Sequence, residues 1–177
     1  MVITRESLIG FLTMDLELAE AAAVQYINHA VMLTGITSEN IIKTLKAYAC
    51  ENIEHATTLA DQINDLGGSP GRATCNVHAS NDNEEMLLYD LEDEEDAVWR
   101  YTIRIEQAEQ LKELGLAKQL RAILRSEQQH AMYLKRQLRA IAREKECLGI
   151  GIVGSLDFSQ KWVEKAVNVP IRIKKQR

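Results

Sequence analysis

The chain has 177 residues, 46% of them hydrophobic and 27% charged, a balance that fits one water-soluble domain with a sizeable core. Its formal charge of −5 disfavours partnership with a nucleic-acid backbone, and no apolar run approaches the roughly 20 residues that a membrane span requires. Cys50, Cys75 and Cys147 stand far apart, and acids interrupt the N-terminus where a signal peptide needs an apolar stretch, so the setting expected is reducing and cytoplasmic.

With only two prolines and nine glycines, long helices are expected. Thr4 with Glu6 resembles a helix start, and Leu8, Leu12, Leu16, Ala19, Ala23, Tyr26, Ala30 and Leu33 recur at a three-four spacing, which predicts α1 over about residues 5–34, ended by Gly35. Ser38 opens α2, over about residues 38–66, with the inward line Ile42, Leu45, Tyr48, Asn52, His55, Leu59, Ile63 and Leu66. A polar stretch from Gly67 to Asp82 follows, long enough to have a geometric role. Asn83 is expected to cap α3, whose inward line is Leu87, Leu91, Glu94, Val98, Tyr101, Ile105 and Ala108 and whose end falls between Lys112 and Gly115. Next, α4 carries Leu120, Ile123, Leu124, Glu127, His130, Ala131, Leu134, Leu138 and Ile141 on one face and breaks near Cys147. Asp157 with Gln160 predicts a short fifth helix over about residues 158–166. It belongs to a C-terminal extension, residues 148–177, whose basic end IRIKKQR reads as a solvated terminus.

Helices of about 28 residues are each roughly 40 Å long, and a bundle buries such faces most economically. The short α1–α2 and α3–α4 connections force antiparallel neighbours, whereas about 16 extended residues between α2 and α3 reach up to roughly 50 Å, the whole bundle length. The expected fold is therefore all-α: an antiparallel four-helix bundle over residues 1–147 with a long crossover.

Four ionisable residues, His55, Glu94, Glu127 and His130, occupy inward positions where the pattern asks for Leu or Ala. Unpaired burial of such groups costs several kcal/mol, so they are expected to meet. Counting from Gly35, Ala19 lies sixteen residues back and Asn52 seventeen forward, at one height in an antiparallel pair. The same levelling on α3 and α4 requires their turn to lie near Leu111. Three arrangements remain open: a cage for Fe(II), Mn(II) or Zn(II), a metal-free buried network, and an exposed Glu-x-x-His pair.

The segments VQYINHA, ENIEHA, DLEDE with Glu94, and above all LRAILRSEQQHA carry a resemblance to the ferritin-like superfamily, and within it to bacterioferritins, over roughly residues 6–142. The resemblance implies a di-iron carboxylate site with one Glu on each of the first and third helices and one Glu-x-x-His on each of the second and fourth. Carried over, helix α2 supplies His55, α3 supplies Glu94, and α4 supplies Glu127 and His130 as metal ligands. Ala19 and Asn52 stand where two further carboxylates belong; Glu20 and Glu51 are each one residue off, a turn of about 100° away from the seam. One metal is thus expected more readily than two, iron first, with Mn or Zn as alternatives. Haem is not expected, because Ile53 replaces the methionine that bacterioferritins use.

The function implied is iron binding with ferroxidase, storage or O₂/peroxide-linked redox activity in a homo-oligomer. The competing class is a structural or assembly subunit with a metal-free polar core. Tyr26 and Tyr101 read as core residues, His29 as an interface or surface residue, and Trp99 and Trp162 as cover for the fifth helix or a dimer contact. Cys75 and His78 have a metal-like spacing but no second pair, so His78 reads as a loop residue.

Overall fold

The computed structural model of the chain describes residues 3–35, 38–71 and 77–147. Cys75, Trp162, the expected fifth helix and the basic end lie outside these residues. In chain order the helices are α1 (Arg5–Met32), α2 (Ser38–Asp65), α3 (Asn83–Gln110) and α4 (Leu114–Cys147). Residues Met1–Ile141 form one compact unit and Ala142–Arg177 a second. No helix among the described residues is long and apolar enough to cross a membrane.

Local chemistry sets the ends. At the start of α1 the Thr4 hydroxyl accepts the Ser7 N–H and the Ser7 hydroxyl accepts the Thr4 N–H, which satisfies two otherwise unpaired donors of the first turn. The reciprocal partner is thus Ser7, at the position that reaches back to the cap, rather than Glu6. Helix α2 closes with Gly67 N–H donating to Asn64 O and Gly68 N–H to Ile63 O, both at 2.9 Å, around a left-handed Gly67 (φ 82°). Gly68 is also a contact point: a Cβ there would lie 2.7 Å from Ile9 Cγ2.

Asp82, not Asn83, caps α3, its carboxylate accepting the Glu85 N–H at 2.9 Å. Asn83 is the first helical residue, and its side chain pairs with the Thr34 backbone in both directions, tying the end of α1 to the start of α3. The α3–α4 turn is built on Leu111 and Lys112, with Lys112 in the left-handed region (φ 62°) and Glu113 N–H donating to Ala108 O. The turn therefore falls where the levelling of α3 and α4 requires it, and Gly115 already lies inside α4.

The described residues on either side of the middle of the crossover contact α1. Gly71 packs against Thr13, and farther on His78 N–H donates to Gln25 Oε1 at 2.8 Å. Two apolar clusters fill the interior. One gathers Leu8, Leu12, Leu16, Leu59, Ile63, Ile105 and Leu120, the other Tyr26, Leu45, Met86, Leu87, Leu91 and Leu134. A polar layer interrupts them.

Candidate metal centre

Glu94 on α3 and Glu127 and His130 on α4 project into that layer because each takes an inward position of a helix otherwise lined with Leu, Ile and Ala. Metal-ligating atoms of the three lie within 4.8 Å of one another, and all three residues are buried. His55 of α2 joins them, its Nδ1 3.0 Å from Glu127 Oε1. Three of the four residues singled out in the sequence therefore converge, and His55 reaches the group through Glu127, its ring 6.5 Å from that of His130.

The far side of His130 is held. Its Nε2 lies 2.9 Å from Glu51 Oε2, the Ser126 hydroxyl donates to that same oxygen at 2.7 Å, and the Tyr48 ring stacks on the imidazole at 3.7 Å between centroids. A carboxylate on one imidazole nitrogen fixes ring and tautomer and leaves the other nitrogen for a ligand. Here Nδ1 is that other nitrogen, 3.2 Å from both Glu94 Oε1 and Glu127 Oε2. Glu51 does not replace the carboxylate absent at Asn52; its one-step offset carries it round the rim to the back of His130. Glu20 does not line the adjoining cavity.

Charge is distributed unevenly. Burial, then the neighbouring Glu127 charge, pushes the Glu94 carboxyl well above the usual range. Burial pushes Glu127 the same way, but the His130 and His55 imidazoles beside it outweigh this and hold Glu127 below that range. Burial lowers His130, yet Glu127 and Glu94 raise it further, to about 10. Burial raises the Tyr26 phenol, as do the Glu94 and Asp90 charges, and it stays a neutral donor to Glu94 Oε1.

Three donor atoms of the cluster remain buried without a hydrogen bond: Glu94 Oε2, Glu127 Oε2 and His55 Nδ1. The last two have charged neighbours at 3.2 and 3.0 Å, but not along a hydrogen-bonding direction. An unsatisfied buried polar group costs about 1–3 kcal/mol. Beside these atoms is a cavity of about 160 Å³ whose walls include Ala19, Asn52, Glu94, Arg100, Tyr101 and Glu127. Ala19 and Asn52 share it, as their levels on α1 and α2 predict. Asn52 turns its Nδ2 to the Tyr48 carbonyl at 3.1 Å.

A second polar seam escaped the sequence reading. His29 is fully buried, not at the surface: its Nδ1 pairs with Asp90 Oδ1 at 2.8 Å and its Nε2 with the His78 carbonyl at 3.1 Å. Gln25 donates to Asp90 at 3.0 Å and to Asp93 at 2.7 Å, and His78 stacks on Tyr89. Toward the other end, the buried Asp15 carboxylate accepts from Arg100 Nε at 3.1 Å and Arg104 Nε at 2.8 Å. The missed signal is periodic: Asp15, Gln25 and His29 on α1 face Asp90, Asp93, Arg100 and Arg104 on α3 at helical spacing, with the alanines Ala22 and Ala97 between them.

Residues 10–144 match the family described as the ferritin-like domain. The chain belongs to the ferritin-like family. Among solved structures, this ferritin-like chain is similar to a ferritin-like, diiron-carboxylate protein from Bacillus anthracis str. Ames, with 30% identity, a TM-score of 0.73, and coverage of 76% of this chain and 96% of the other. It is also similar to the bacterioferritin-related protein of Bacteroides fragilis, described as a dodecameric thioferritin, with 26% identity, a TM-score of 0.76, and coverage of 82% and 92%. Among curated proteins nothing matches the chain.

Proposed function

We propose that this ferritin-like chain binds iron, one ion per chain, with Glu94, Glu127, His130 and His55 as ligands, and supports its oxidation by O₂ or peroxide. The observation that carries this reading is the convergence of buried ligand atoms of Glu94, Glu127 and His130, with Glu94 Oε2 and Glu127 Oε2 left without hydrogen bonds that a divalent cation would satisfy. Carboxylate oxygens with imidazole nitrogens suit Fe(II), and Mn(II) or Zn(II) would compete for the same set. Iron supplies one-electron redox chemistry toward O₂ or peroxide. The chain's own residues prepare for it: His130 gives up a proton on binding the ion, Glu51 keeps His130 turned inward, and Tyr26 holds Glu94. The residues fit one cation. For two, α1 and α2 would have to supply the carboxylates that Ala19 and Asn52 lack.

Assembly into a homo-oligomer belongs to the same proposal. Val24, Ile27 and Val31 form an exposed apolar line on α1, and the B. fragilis relative is described as dodecameric. A structural subunit with a metal-free core is the second reading, favoured by the His130–Glu127–Glu94 contacts, which already neutralise one another in part. Metal analysis of the purified chain, followed by Fe(II) addition in air with ferric absorbance recorded, separates the two. Retained iron and a rise in ferric absorbance support the proposal. No metal under any loading, together with a higher melting temperature for Glu127→Ala, supports the structural reading.

A further inference from the structure

We propose that the outer end of the cavity between α1 and α3 is a second and weaker divalent-cation site, outside the metal centre, where Asp90 and Asp93 hold a hard, partly hydrated ion such as Mg(II) or Mn(II). The same cavity is lined by exposed His78, half-buried Asp93 and buried Asp90 as well as by Glu94 and Glu127, so it reaches from the crossover surface to the edge of the centre. Its walls carry four carboxylates against the single guanidinium of Arg100, which donates to Asp15. A half-enclosed space with that excess of negative charge concentrates cations.

Asp90 and Asp93 stand three residues apart on one face of α3. The Gln25 amide nitrogen donates to both, 3.0 Å from Asp90 Oδ1 and 2.7 Å from Asp93 Oδ2, and holds the two carboxylates side by side. Gln25 is fixed in turn by the His78 N–H on its Oε1. Because His29 Nδ1 also lies on Asp90 Oδ1, the free oxygen of Asp90 is Oδ2. That atom is buried without a hydrogen bond, in a residue only 1% exposed. Buried carboxylate oxygens ordinarily have a partner, and a cation or one of its waters would supply it. The cavity, of about 160 Å³, has room for several waters. Asp90 and Asp93 do not complete a three-residue cage like that of Glu94, Glu127 and His130, so the ion keeps much of its water shell and binds the more weakly. One or two carboxylates with water suit Mg(II), and Mn(II) accepts the same oxygen donors. The centre adds imidazole nitrogen and favours Fe(II) or Zn(II), so the two places sort cations by hardness. Four residues separate Asp90 from Glu94, a rise of about 6 Å along α3 that keeps the two ions apart.

The test loads the full-length protein with one equivalent of Zn(II) per chain, which Mn(II) does not displace from a nitrogen and oxygen site, and then titrates Mn(II) while electron paramagnetic resonance counts the free ion. The expected result is one further Mn(II) per chain, competed off by excess Mg(II). Asp93→Asn keeps an acceptor for the Gln25 amide and removes the charge. It should retain Zn(II) and weaken Mn(II) by about tenfold or more, because the affinity of such oxygen sites follows their ligand charge. Glu106→Gln, exposed farther along the same helix, should leave Mn(II) binding unchanged. No further Mn(II) on the Zn(II)-loaded wild type overturns this inference and leaves the centre standing, as do an undiminished Mn(II) affinity in Asp93→Asn and an equal loss in Glu106→Gln. Mn(II) lost with Asp93→Asn from a protein that retains no Zn(II) upholds this inference and overturns the centre.

Discussion

The two halves of the polar layer are built differently. The α3–α4 half holds Glu94, Glu127 and His130, with Glu51 behind the imidazole. The α1–α2 half holds only His55, with Ala19 and Asn52 where the family resemblance places carboxylates. The difference is one of charge as much as of ligands. Four carboxylates neutralise two divalent cations, whereas the two that remain neutralise one. On the single-ion proposal, losing acids from one half while keeping them in the other would balance the site for one ion and leave no unpaired buried charge.

The most drastic way to break the contrast is Glu127→Ala, which takes the carboxylate that His55 and His130 both face. Cation binding is expected to be abolished, read as metal content after loading and desalting. Asp15→Ala breaks the neighbouring seam instead: it strands two largely buried guanidinium groups, and a loss of roughly 3–5 kcal/mol in unfolding free energy is expected from urea denaturation of the metal-free protein. Glu51→Gln sharpens the comparison inside the intact half. It keeps a hydrogen-bonding group at His130 Nε2 but removes its charge, and metal affinity should fall about 10–100-fold without a change in stoichiometry.

The smallest effect concerns His29, which faces Asp90 and Asp93 of α3, Gln25 of its own helix and the His78 carbonyl. Burial lowers its pKa, but the Asp90 hydrogen bond and charge more than offset this and raise it above the ordinary 6.5. A raised histidine stabilises the fold fully below its unfolded value and loses that contribution as pH climbs through the folded one. His29→Gln should therefore cost about 1–2 kcal/mol at pH 6, and the gap in melting temperature from wild type should narrow steadily above pH 6.5.

The fold was legible because leucine and alanine spacing marks each helix, and two short turns with one long crossover leave few ways to join four helices. The site was legible for the same reason: Glu94, Glu127, His130 and His55 break an apolar line, so their burial follows from the line itself. Asp15, Gln25, His29, Asp90 and Arg104 break no such line. They form a seam between α1 and α3 whose burial comes from tertiary packing and from His78 in the crossover. Glu51 was missed because seam position says nothing of how far a long side chain reaches along a rim. The cap at Asp82 differs from expectation by one residue and the end of α3 at Gln110 by two, the usual uncertainty of helix ends.

The most direct test of the single-ion account is an anaerobic Fe(II) titration of the metal-free protein, followed by calorimetry and checked by elemental analysis of the saturated sample. Saturation at one Fe(II) per chain is the predicted result; saturation at two tightly bound Fe(II) per chain would contradict it.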